Sequence, residues 1–135
     1  MRLENRRKLV QVLLEKSQKS LAAATALAND GFTEAAISRA YYAAFYLAQG
    51  ALATKDISRS KHSGVIAAFG ELFTKRGLLP ETLHKKLLNL FESRIVSDYG
   101  VEAAPSPEET EEALEAAKEF TNSLRIYLQE WLAKS

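Results

Sequence analysis

Cysteine is absent from this chain, and with it every disulfide, thiolate metal site and thiol nucleophile. Proline is scarce: Pro80, Pro105 and Pro107 are its three occurrences, so few points force a helix to stop. There are two histidines, His62 and His84. They lie too far apart in sequence to form a helical metal pair, and no carboxylate–histidine spacing suggests zinc. An excess of one charge sign is also missing. Lys and Arg total 18 against 17 Asp and Glu, for a formal net charge of +1. That excludes a strongly basic nucleic-acid coat and an acidic tail, but leaves room for a local basic patch. No stretch reaches the ~20 apolar residues that span a bilayer, and the charged start MRLENRRK leads into an amphipathic segment without a signal-peptide core. There is no phosphate-cradling glycine loop, no serine elbow and no recognisable pair of catalytic carboxylates. These absences lead us to expect a soluble, cytoplasmic protein that needs no metal and no cofactor. At 135 residues the chain suits one domain, and a chain of that size buries roughly two thirds of its unfolded surface.

What is present is helix. No segment shows the period-two alternation of a strand. The first helix is expected from about Glu4 to Ala28, with Val10, Leu13, Leu14, Ser17, Leu21, Ala24 and Ala28 as its inward stripe and Gly31 as a left-handed cap. Thr33 is the expected N-cap of a second helix reaching Thr54, and Lys55 to Lys61 form a polar connection. Ser60 is expected to cap a shorter third helix running to about Lys75 and closed by Gly77. Pro80 is expected as the first residue of a fourth helix ending near Tyr99, followed by a loop from Gly100 to Pro105. The last helix has the clearest local signal: Ser106 as N-cap, Pro107 in the first turn and Glu109 completing a capping box. Four of the six residues after Pro107 are glutamates, matching the positive end of the helix dipole. Ala113, Ala117, Phe120, Leu124, Tyr127 and Trp131 then recur at spacings of three and four, a seam that packs against long neighbours. The expected fold class is all-α: an antiparallel up-and-down four-helix bundle with one additional short helix.

The run from Ile37 to Ala53 is apolar on nearly every face. Such a helix must be covered on both sides, by its own chain or by a second copy. Its small residues Ala36, Ala40, Ala43, Ala44 and Ala51 suit close helix approach, so the run is also the expected self-association surface. Arg39 within it needs an anion, a carboxylate such as Glu92 or Asp98, or a ligand. Arg39, Tyr42 and Tyr46 share one face, a packing surface or an Arg–Tyr platform for stacking a base. Arg94 and Asp98 are four apart and can pair. Lys61 and His62 stand at a helix start, where anions are favoured. His84 is expected on the solvated surface, and Arg6, Arg7 and Lys8 at a solvated helix end.

Three phrases together carry a family likeness. They are Ser38-Arg39-Ala40-Tyr41-Tyr42-Ala43-Ala44-Phe45, then Lys61-His62-Ser63-Gly64-Val65-Ile66 with Phe69, and then Glu92-Ser93-Arg94-Ile95-Val96-Ser97-Asp98-Tyr99. In order and spacing they resemble the HEPN domain (higher eukaryotes and prokaryotes nucleotide-binding), in its small stand-alone prokaryotic branch, over about Leu9 to Leu128. The resemblance implies an antiparallel helical bundle that forms a homodimer and often pairs with a minimal nucleotidyltransferase protein as toxin and antitoxin. Active relatives of this kind are metal-independent ribonucleases with an Arg-x4-6-His motif near the end of the penultimate long helix. In such a motif histidine takes a proton from a 2′-hydroxyl and arginine holds the scissile phosphate.

This sequence departs from the motif. In one register Ser97 stands where the histidine belongs and Glu92 where the arginine belongs. In the other, anchored on Arg94, Tyr99 takes the histidine position, and a tyrosine with pKa near ~10 is a poor base at neutral pH. The expected function is therefore a HEPN-like helical dimer that binds nucleotide, RNA or a nucleotidyltransferase partner without cleaving RNA. Its expected ligand-binding residues are Arg39, Tyr42, Lys61, His62, Arg94, Asp98 and Tyr99. The alternatives are a metal-independent endoribonuclease with displaced chemistry through His62, Arg94 and Tyr99, and a structural adaptor bundle.

Overall fold

The structure is a computed structural model that describes residues 1–99 and 104–135, without the Tyr99 side chain. Five α-helices follow one another: α1 (Leu3–Asn29), α2 (Thr33–Thr54), α3 (His62–Phe69), α4 (Glu81–Tyr99) and α5 (Pro107–Lys134). A π-helical turn over Gly70–Thr74 extends α3. There is no strand among the described residues, and the fold is the all-α bundle expected. Residues 100–103 of the expected Gly100–Pro105 loop lie outside the described residues.

Local signals explain most boundaries. Gly31 takes φ +84°, and the backbone N–H groups of Gly31 and Phe32 bond to the carbonyls of Ala28 and Leu27 at 3.1 and 2.9 Å. This is a Schellman closure of α1, open to glycine because it has no Cβ. The α5 capping box is complete: Glu109 N–H donates to Ser106 Oγ at 3.0 Å, and Ser106 N–H donates to Glu109 Oε1 at 3.2 Å. Thr33 departs from expectation. It is the first helical residue of α2, Phe32 precedes it, and no side chain caps the helix. Lys61, not Ser60, precedes α3, and Pro80 sits just before α4 rather than inside it.

The third helix is not continuous. At Gly70 it widens, with Lys75 N–H reaching Gly70 O at 2.8 Å and Thr74 Oγ1 bonding the same carbonyl at 2.9 Å. His84, expected in solvent, is half-buried and packs its ring on Gly70, where a Cβ would lie 2.6 Å from it. The wide turn and the missing side chain give that ring its place.

Helix α2 is the axis of the bundle. It contacts α1, α3, α4 and α5, and most of its residues are buried within this one chain. This corrects the expected self-association role of the small residues alone. Ala36, Ala40, Ala43, Ala44 and Ala51 are each fully buried, so the small side chains serve intramolecular packing. Close approach of α1 is visible in two hydrogen bonds: Ser17 Oγ donates to Ala43 O at 2.7 Å, and Ser20 Oγ to Arg39 O at 2.8 Å. Phe69, Phe73 and Phe120 pack ring to ring at the centre, with Leu124 and Leu128 continuing the α5 seam into the core.

At the basic start of α1 Lys8 is exposed as expected, but Arg6 and Arg7 are half-buried. Arg6 Nε donates to Ala53 O at 2.8 Å, and its Nη2 to Thr54 O. Arg7 Nη1 donates to Leu132 O at 2.6 Å. Both guanidiniums cap the carbonyl ends of neighbouring helices, where the helix dipole favours cations.

Candidate functional site

One face of α2 stays open. Arg39, Tyr42 and Tyr46, spaced three and four apart, are each half-buried, whereas the neighbouring Tyr41 and Phe45 are buried. Helical periodicity puts the first three on one stripe and the other two on the stripe beside it. The start of α3 and the second half of α4 flank this face.

His62 is the hub. Its ring stacks on Phe45 with centroids 4.1 Å apart, lies 5.8 Å from Tyr41 and meets Tyr42 edge-on at 5.7 Å. Its Nδ1 is 2.8 Å from the Tyr41 hydroxyl. Burial pushes the Tyr41 phenol well above the usual tyrosine range, so its O–H remains a donor at neutral pH. Burial first, and the Arg94 guanidinium second, push His62 below its ordinary value. The ring is therefore neutral near pH 7. Where the hydroxyl is the donor to Nδ1, the ring proton sits on Nε2. In that tautomer His62 offers a donor rather than a base.

A pH dependence follows. The unfolded chain takes up a proton on His62 near about 6.5, whereas the folded chain does so only at lower pH. Stability contributed by neutral His62 is thus complete above about 6.5 and declines as the pH falls below it. Thermal unfolding from about pH 8 to pH 5 should show a steeper loss for wild type than for His62→Gln; parallel curves would contradict the assignment.

Arg94 approaches from α4. Its Cζ lies 5.8 Å from the Tyr41 centroid and 5.3 Å from that of Tyr42, so Arg94 and His62 flank the same two rings. Arg39 adds a second guanidinium 4.9 Å from Tyr42. Cation–π attraction holds both over the aromatic surface. Arg94 Nε and Asp98 Oδ2 are 2.9 Å apart, forming the expected i, i+4 pair. The approach is off the N–H axis, so the buried Nε–H has no aligned hydrogen-bond acceptor. Arg39 forms no ion pair with a carboxylate among the described residues, contrary to the expected partnership with Glu92 or Asp98. Lys61 is exposed beside His62 and likewise has no ion-pair partner among the described residues. Among the described residues no cluster of three or more His, Cys, Asp or Glu could hold a metal.

Of the expected site residues, Arg39, Tyr42, His62 and Arg94 come together, with Lys61 and Asp98 at the edge; the Tyr99 side chain lies outside the described residues. Tyr41, Phe45 and Phe91 complete the aromatic wall, and the sequence reading left them out of the site. Tyr41 and Phe45 form the second aromatic stripe of α2, which reads as core, and Phe91 comes from α4. In the register anchored on Arg94 the motif arginine falls within this site, whereas the pair of the other register lies elsewhere. Ser97 and Glu92 line a cleft of about 460 Å³ that they share with Glu34, Glu109 and Glu112.

The model of the HEPN domain matches residues 10–127 of this chain. The chain belongs to the HEPN family. The chain is similar to a Methanocaldococcus jannaschii protein named "Putative toxin", 36% identical over 128 residues that make up 95% of this chain and 86% of that one. A second protein of that organism bearing the same name is 32% identical over 126 residues, 93% of each chain. A "UPF0332 protein" of Thermotoga maritima is 29% identical over 128 residues, 95% of this chain and 97% of its own. No helix among the described residues is long and apolar enough to cross a membrane.

Proposed function

We propose that this HEPN protein binds the phosphates of RNA or nucleotides through Arg39, Arg94 and Lys61 and does not cleave them. In this reading it is one component of a toxin–antitoxin-like pair whose other member is a minimal nucleotidyltransferase. The carrying observation is the convergence of two guanidiniums on Tyr42 with a single carboxylate, Asp98, paired beside them. Guanidinium forks suit phosphate oxygens, and an aromatic wall excludes water from one side of the contact. Two observations speak for binding without cleavage. The Tyr41 hydroxyl occupies Nδ1 of His62, and Ser97 and Glu92, the family's usual pair in one register, share a cleft with the carboxylates of Glu34, Glu109 and Glu112, which repel an RNA backbone. The names of the two Methanocaldococcus relatives support the toxin–antitoxin setting. The exposed Ile95 and Val96 on α4 support a face for a second copy or a partner beside the cleft.

The test is fluorescence anisotropy of end-labelled single-stranded RNA, with its integrity read on a denaturing gel. Wild type should bind and leave the RNA intact. Arg94→Ala should weaken binding by about 10- to 100-fold, the value of a charged hydrogen bond. Equal binding by wild type, Arg94→Ala and Arg39→Ala would refute the assignment.

A second reading, a metal-independent endoribonuclease, has one observation in its favour: His62 and Arg94 flank the same two rings. Cleavage by pure protein that disappears in His62→Ala would establish it in place of the first.

A further inference from the structure

The open stripe of α2 does not end at Tyr42. One turn on, the Tyr46 ring lies 5.9 Å from that of Tyr42, tilted by 41°. From α1, Lys16 extends across it, with Nζ 5.8 Å from the ring centroid. Lys16 is exposed, Tyr46 is half-buried, and Lys16 forms no ion pair with a carboxylate among the described residues. The Arg39–Arg94–Tyr42 arrangement is thus repeated in reduced form by Lys16–Tyr46, supplied by a helix that the first cluster does not use.

We infer that Tyr46 and Lys16 form a second nucleotide subsite, so that the ligand of this cleft is single-stranded RNA spanning at least two nucleotides rather than a mononucleotide. The inference rests on the phosphate-binding reading above. Cations and aromatic rings along one helix stripe are what a single strand needs: phosphates meet the cations, and bases meet the rings. Ring spacing argues for a splayed strand. Stacked bases in a duplex rise by only ~3.4 Å per step, well short of the 5.9 Å between Tyr42 and Tyr46. Bases lying on two rings tilted by 41° are not held in the parallel stack of a duplex. A duplex holds its bases stacked, whereas single strands can turn them out onto aromatic side chains. Lys16, on a flexible stem, can leave the face of Tyr46 to a base and take the adjoining phosphate.

The experiment compares a labelled hexauridylate with labelled uridine monophosphate on wild type, Tyr46→Ala, Tyr46→Phe and Lys16→Gln, each shown by thermal unfolding to be folded. Tyr46→Ala should weaken the hexauridylate by ~10-fold while leaving the monophosphate unchanged, and Tyr46→Phe should restore most of the loss. Lys16→Gln, at an exposed position with no bearing on folding, should lower the salt slope for the hexauridylate by about one unit. Wild-type hexauridylate affinity in both Tyr46→Ala and Lys16→Gln, with monophosphate binding intact, would remove the subsite and leave the first cleft standing. Loss of both ligands together in Tyr46→Ala would mean a general collapse of the cleft and would also remove the subsite. Failure of wild type to bind either ligand would overturn the underlying reading and this inference with it. A duplex that competes as well as the single strand would overturn the single-strand specificity.

Discussion

Replacing Ala44 with glutamate should unfold the protein. Ala44 is fully enclosed by the chain's own helices, one residue from the carbonyl of Ala43 that accepts from Ser17 Oγ on α1 at 2.7 Å. A glutamate there has neither volume nor partner. A carboxylate buried without a counter-charge costs several kcal/mol even after relaxation, and the longer side chain must also force α1 from α2. The total approaches the whole stability of a domain, about 5–15 kcal/mol. Circular dichroism of Ala44→Glu should show no cooperative thermal transition at physiological pH. An Ala44→Glu variant that melts like wild type, merely as a smaller species on light scattering, would restore the view that this helix face meets a second copy. Dimer loss without unfolding is the signature of an interface, and unfolding is the signature of a core.

Phe120→Ala should lower the melting temperature by roughly 10–20 °C without altering the helical spectrum at low temperature. Phe120 is fully buried on α5, 5.4 Å from Phe69, which in turn stacks on Phe73 at 5.6 Å. Removing the ring takes away its transfer free energy and leaves a cavity between α5 and the α3 segment, for a loss of about 3–5 kcal/mol. Because α3 also carries His62 at its first turn, this cavity reports whether the aromatic core and the candidate site move together. Hydrogen exchange at α3 amides should accelerate in Phe120→Ala. Unchanged protection there, with faster exchange confined to α5, would separate the core from the site.

Particular residues show how much could be read in advance. The α5 boundary was legible because capping is local: Ser106, Pro107 and Glu109 satisfy the orphan N–H groups within one turn. Gly31 was legible for the same reason, since a left-handed residue advertises itself by its missing Cβ. The inward stripe of α1 was legible from period, and Val10, Leu13, Ser17 and Ala24 are buried as read. His84 was not legible. A polar residue near a helix start reads as solvated, and only Gly70, arriving from another helix, gives its ring a place. Arg6 and Arg7 failed in the same way, because the carbonyls they bind belong to helix ends distant in sequence.

For this chain, the order of residues alone was enough to establish an all-helical bundle, its main stops and starts, and the family likeness. Each of these depends on spacing along one segment or on which residue occupies one position, and such information is carried locally. Whether the apolar middle helix is covered by its own chain, which aromatic faces His62, and that Arg39 and Arg94 meet over Tyr42 while Lys16 meets Tyr46 were decided by the tertiary structure. Those outcomes depend on distances between segments, and a polar connection such as Lys55 to Lys61 has no periodicity from which a distance could be read. Packing sets them, because burial of α2 leaves one stripe uncovered and only residues that flank that stripe can join the site.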